Sequence, residues 1–135
     1  MVCLDSSFII DVIKGLNAAV KREHEIDISN EEITIAAPAI IEIIAGLHLA
    51  RTKKYYSQEE KDKVMKLINS LIVLDLNKES AILAGEIEAD MENKGEIIDI
   101  EDIMIGAIAK CNNETLITRN KDHFEKIPGL EIQSY

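Results

Sequence analysis

Cysteine is scarce in this chain: Cys3 and Cys111 stand alone, with no CxxC pair and no Cys/His ligand spacing. That excludes a disulfide framework and a thiolate metal site, and leaves two thiols expected to be buried in a reducing cytoplasm. Cations are also short. Fifteen Lys and Arg face 25 Asp and Glu, a net charge of −10, which opposes nonspecific attraction to polyanions. Any nucleic acid must be held locally, by a metal or a basic strip, and charge alone slightly favours a cationic protein partner. Long apolar runs are missing too. The most apolar window, Ile33 to Ala50, is broken by Pro38, Glu42 and His48, so it reads as core and not as a membrane span. The N-terminus has no basic region followed by an apolar stretch and a small-residue cleavage site. There is no internal repeat, low-complexity tract or Gly/Ser linker. A single domain over residues 1–135 is expected, long enough to bury about two thirds of the surface its unfolded form exposes without help from a metal or disulfide.

Short apolar strands alternating with helices can be read along the chain. Val2 to Asp5 predicts a strand, and Ser6 or Ser7 can cap the helix that follows through Phe8, Ile9, Val12 and Ile13. Ile33 to Ala36 predicts a second strand. It runs into a helix whose first turn carries Pro38, where a missing N–H costs nothing. Ser57-Gln58-Glu59-Glu60 is a capping-box pattern opening a helix to about Leu71, and Ile72 to Leu76 reads as a third strand. Asn77 caps a long helix to Lys94, with Gly95 as its stop, and Asp99 can cap the next. Leu116 to Thr118, a helical turn at Lys121 to Phe124, and Leu130 to Gln133 complete the pattern. The expected fold class is α/β, a three-layer α/β/α sandwich around a mainly parallel sheet.

Three acids sit inside apolar runs. Asp5 ends the first strand, Glu42 interrupts Ala39-Ile40-Ile41-Glu42-Ile43-Ile44, and Asp102 opens Asp102-Ile103-Met104-Ile105-Gly106-Ala107-Ile108-Ala109. An acid so placed is expensive to bury without a partner. In open parallel sheets, ligands gather outside the carboxyl ends of the strands, where Asp5 belongs. Pro38, Ala39, Ala45 and Gly46 flank Glu42 on its helix face, and Gly106 and Ala109 lie along that of Asp102, both low-profile stripes. Three carboxylates within about 4 Å repel by roughly 4 kcal/mol per pair at a surface-like dielectric. A hard divalent cation, Mg²⁺ or Mn²⁺, reverses that penalty and suits all-oxygen ligation. Such a metal can acidify a bound water and stabilise charge on a phosphodiester.

The remaining polar residues have plainer readings. Asp99 fits an N-cap, although it shares a helical face with Asp102. Asp11, between apolar residues at helical spacing, is expected to face water. Asp75 could imitate a phospho-acceptor aspartate, but no acid pair follows the first strand and there is no Asp-x-Asp motif. Ser7 is expected to stand behind the site or on its substrate side. His24, His48 and His123 lack ligand spacing and read as surface residues. Arg51, Lys53 and Lys54 with Tyr55 and Tyr56 form either a solvated loop or a strip able to grip a phosphate backbone and stack bases. Arg119 is the better phosphate contact.

Leu4-Asp5-Ser6-Ser7, Ile41-Glu42-Ile43-Ile44-Ala45-Gly46-Leu47, the Asp102 to Ala109 run, and Leu116-Ile117-Thr118-Arg119-Asn120-Lys121-Asp122-His123-Phe124 followed by Ile127-Pro128-Gly129-Leu130 together resemble PIN-domain proteins, VapC-type toxins most of all. The resemblance runs nearly end to end. It implies a cytoplasmic Mg²⁺- or Mn²⁺-dependent ribonuclease, usually dimeric and silenced by an antitoxin protein, which hydrolyses RNA with a metal-activated water. Asp5, Glu42 and Asp102 match the family's three acids. Where many members have Asp after the Thr-x pair this chain has Asn120, which can orient a ligand or water without bringing charge. Asp122 is close by but out of register, and Asp99 is a possible substitute as metal ligand. A PIN-like module that binds RNA or protein without cutting is the alternative this substitution leaves open.

Overall fold

The computed structural model describes residues 1–49 and 56–135. The expected basic strip at Arg51, Lys53, Lys54 and Tyr55 lies outside the described residues. The elements run β1 (Val2–Leu4), α1 (Ser6–Ile13), α2 (Asn17–Ser29), β2 (Ile33–Ala36), α3 (Ala37–His48), α4 (Gln58–Ser70), β3 (Ile72–Leu74), α5 (Lys78–Asn93), α6 (Ile100–Cys111), β4 (Thr115–Ile117), α7 (Lys121–Phe124) and β5 (Ile132–Gln133). The strands form one parallel sheet in the order β3-β2-β1-β4-β5. This is the expected α/β architecture.

Its topology positions the site. From β1 the chain steps outward through β2 and β3, then crosses back to lay β4 and β5 on the other side of β1. Strand order therefore reverses between β1 and β4, and it is outside the carboxyl ends at such a reversal that open parallel sheets gather ligands. Right-handed crossovers in the two directions place α1 to α4 on one face and α5 with α6 on the other. α1 packs on α2, α3 and α4, and α5 packs on α6, while α3 also meets α6. β1 and the last two residues of β4 are buried throughout, as continuous apolar strands in a covered parallel sheet must be. Ile9, Ile35, Ile43, Ile103, Ile105 and Phe124 are among the largest fully buried side chains.

Several local expectations are met. Ser57 and Asn77 each form a complete capping box with the residue three positions on. Gly95 follows the end of α5 at φ +70°, a conformation that favours glycine. Gly106 permits a close approach, since a Cβ there would collide with Ile127 Cδ1.

Other expectations are corrected. The sequence pattern predicts no helix where the structure has α2. That helix starts after Leu16, which has no capping oxygen, and buries only Ala19 and Ile26 along thirteen residues. Ser6 and Ser7 do not cap α1. The N-cap position is Asp5, with no side-chain capping bond, because all three side chains have other partners. β3 and β5 are shorter than their apolar runs, and β4 is shifted one residue earlier. Cys3 is fully buried, whereas Cys111 is only half-buried at the end of α6. Asp11 faces the interior and is 1% exposed.

Candidate active site

Asp5 follows β1 directly and its N–H donates to the carbonyl of Ile117 on β4, 3.0 Å. That bond continues the ladder pairing Leu4 with Ile117 and sets Asp5 beside Thr118. The Asp5 carboxylate is 1% exposed. Its Oδ2 accepts from Ser7 Oγ at 2.6 Å and from Thr118 Oγ1 at 2.7 Å. A buried carboxylate needs such donors in place of water. Ser7 Oγ also accepts from the N–H of Arg119 at 3.2 Å, and the N–H of Asn120 donates to Thr118 Oγ1 at 3.0 Å. One small network thus fixes the Thr118-Arg119-Asn120 loop against the acid that ends β1.

Glu42 reaches the same region from α3, where Ser6 Oγ donates to its Oε2. Asp102 enters from the first turn of α6, 7% exposed, its Oδ2 at 3.1 Å from His123 Nδ1. Burial pushes the carboxyl of Glu42 above its ordinary range. The Ser6 hydroxyl opposes the shift, and the charges of Asp5, Asp102 and Glu101 add to it. Burial also raises the carboxyl of Asp102, opposed by the His123 hydrogen bond and reinforced by Asp5 and then Asp99. The fold therefore holds Asp5, Glu42 and Asp102 within electrostatic reach of one another, where their like charges are costly.

Asp99, exposed at the N-cap of α6, makes no side-chain capping bond and acts on Asp102 through its charge. Asn120 is half-buried at the start of α7, beside Thr118, while Asp122 is exposed one turn on. The side chain of Arg119 turns away onto α1, where Nη1 contacts both oxygens of Asp11 at 2.8 Å. Tyr135 Oη donates to the same carboxylate at 2.9 Å, and the tyrosine ring lies edge-on to Phe8.

Sequence reasoning gives Thr118 no role at the site, reads His123 as a surface residue without a ligand role, and turns Asp11 toward water. Thr118 could have been found from strand register alone, as the residue after β4 opposite the one after β1. His123 carries no such signal, because the spacing from Asp102 is long and the meeting depends on how α7 docks.

Among the described residues, no three acidic, His or Cys side chains converge closely enough to hold a metal ion. Each acid is instead turned onto a hydroxyl or an imidazole. The donor set nevertheless fits a hard divalent cation in kind: three carboxylates offering oxygen ligands outside the carboxyl ends of parallel strands, with the carboxyls of Glu42 and Asp102 raised first by burial and then by neighbouring acids. The chemistry open to such a site is metal-assisted hydrolysis or phosphate binding.

The sequence model of the PIN domain matches residues 2–130. The chain belongs to the PIN-domain family. It is 28% identical over 133 residues to the tRNA(fMet)-specific endonuclease VapC of Salmonella typhimurium, an alignment covering 98% of this chain and 96% of that one. It is 28% identical over 102 residues to ribonuclease VapC2 of Rickettsia felis, covering 76% and 75%. Among solved PIN-domain structures, DNA-bound VapBC from Salmonella typhimurium superposes with a TM-score of 0.83 at 27% identity, over 99% of this chain and 98% of the other.

Proposed function

We propose that this PIN-domain protein is an endoribonuclease dependent on Mg²⁺ or Mn²⁺, and the toxin of a type II toxin–antitoxin pair. The observation that carries the reading is that Asp5, Glu42 and Asp102 lie within electrostatic reach of one another near the β1/β4 switch point, in a chain that aligns almost end to end with a tRNA-cutting relative. In this reading the three acids hold the cation, Asp99 extends the ligand set, and Asn120 orients a ligand or water. When bound, the cation supplies an acidified water and charge stabilisation on a phosphodiester. Ser7 and Thr118 keep the Asp5 carboxylate aimed, each through one hydrogen bond. Arg119, half exposed and anchored through Nη1, has further N–H donors to offer a phosphate oxygen.

Structures of relatives are VapBC complexes, which supports a cognate antitoxin for this chain. Net charge of −10 favours a partner presenting Arg or Lys to the acidic cleft. Ile10 and Ile13 line a shallow apolar recess with Leu47 and Tyr56, suited to the hydrophobic part of such a contact or of a homodimer. Among the described residues no helix is long and apolar enough to cross a membrane. The test is cleavage of structured and single-stranded RNA with and without Mn²⁺. Metal-dependent products support the reading. RNA binding without cleavage under every metal condition supports the non-catalytic module instead.

A further inference from the structure

Among the described residues, the imidazole of His123 is the one basic side chain bonded to an acid of the proposed site. A carboxylate can only accept, so with Asp102 ionised Nδ1 carries the hydrogen and donates to Oδ2, leaving Oδ1 for other use. The pair is long in sequence, and its geometry is set by packing. α7 is only four residues long, yet Phe124 beside His123 is fully buried and Ile127 follows it into the core. Both rest near Gly106, one turn beyond Asp102 on α6, where a side chain would strike Ile127. The absence of a Cβ at Gly106 therefore lets α7 lie down on α6, and this docking carries His123 to the Asp102 carboxylate.

Resting on the metal-site reading above, we infer that His123 is a positioning residue: its Nδ1–H fixes the orientation of the Asp102 carboxylate so that one oxygen is presented to a divalent cation. Hydrogen bonds to ligating carboxylates of this sort govern metal affinity, commonly by about tenfold to a hundredfold on removal. A freely rotating Asp102, by contrast, would lose its aim and divide its time between the cation and water. Half of the His123 side chain is exposed, so replacing it removes little packing.

Isothermal titration of the metal-free protein with Mn²⁺ tests this directly, alongside melting temperatures of the same samples without metal. His123→Ala is expected to weaken Mn²⁺ binding about tenfold or more while leaving the metal-free melting temperature near the wild-type value. His123→Asn, whose amide N–H stands where Nδ1–H stood, is expected to recover most of the affinity. His123→Gln, which places its amide where Nε2 stood, is expected to recover less. Mn²⁺ affinity within twofold of wild type in His123→Ala overturns the inference, as does an Asn variant no better than Ala. If wild-type protein itself binds no Mn²⁺, it is the metal-site reading that fails, and the two failures are told apart in one experiment.

Discussion

Tyr135→Phe is a clean probe of the bonds that hold the Thr118-Arg119-Asn120 loop in place. The hydroxyl of Tyr135 donates to Asp11 at 2.9 Å, and Asp11 in turn receives Arg119 Nη1 at 2.8 Å through both oxygens. Removing the hydroxyl leaves a buried carboxylate one donor short but keeps the edge-on contact with Phe8. A hydrogen bond to a charged group contributes about 1.5–3 kcal/mol. The lower end applies here, because Tyr135 is half-buried and the Arg119 partner is half exposed and screened. Unfolding entropy of about 2.1 cal/mol/K per residue gives roughly 0.28 kcal/mol/K for this length, so the melting temperature should fall by about 5 °C. A pH signature accompanies the loss. Burial, then the Asp11 hydrogen bond and charge, raise the Tyr135 phenol above its ordinary value of 10.0. The folded state thus keeps a proton that the unfolded chain releases above about pH 10, so stability present below that pH drains away as pH rises. Burial pushes the Cys3 thiol up to about 12, which adds a similar decline from about pH 9 in both proteins. Differential scanning fluorimetry between pH 8 and 11 should show the wild type losing its advantage over Tyr135→Phe as pH climbs. Equal melting temperatures at pH 8, or a gap that does not narrow, would refute the reasoning.

Asp102→Asn should raise the melting temperature of the metal-free protein at pH 7, because the carboxyls of Asp102 and Glu42 are raised and their ionised forms penalise the fold. The same variant should lose the Mn²⁺-induced increase in melting temperature, which for wild type at a hundredfold excess over Kd amounts to about 2.7 kcal/mol of stabilisation. Gly106→Ala should cost about 1–3 kcal/mol in urea unfolding, since its methyl meets a buried Ile127 with nowhere to go. Asn120→Asp should tighten Mn²⁺ binding in calorimetry by adding charge beside Thr118; unchanged affinity and stoichiometry would place Asn120 outside the metal's reach.

The strands and most helices were legible because each carries its own signal. Buried parallel strands read as apolar runs, and Ser57 and Asn77 announce their helices with caps that the structure contains. α2 was illegible for the converse reason: it has no N-terminal capping side chain and no apolar stripe, only Asn30 at φ +53° to mark its end, and it packs on α1. Asp5, Glu42 and Asp102 stood out as charges embedded in apolar sequence, and the sheet order explains how residues so far apart lie near one another. What local pattern could not convey was pairing. Ser6 and Ser7 look like caps until Glu42 and Asp5 are seen to claim their hydroxyls. Asp11 looks solvated until Arg119 and Tyr135 arrive from more than a hundred residues away. His123 meets Asp102 only because α7 docks on Gly106.

Cleavage of RNA by purified protein, freed of any co-purifying partner, is the most direct test of the central claim. The wild type should cut single-stranded RNA in Mg²⁺ or Mn²⁺, stop in EDTA and recover when metal is restored, while Asp5→Asn remains folded and inactive. Undiminished cleavage in EDTA, or by Asp5→Asn, would contradict a metal-dependent mechanism centred on these acids.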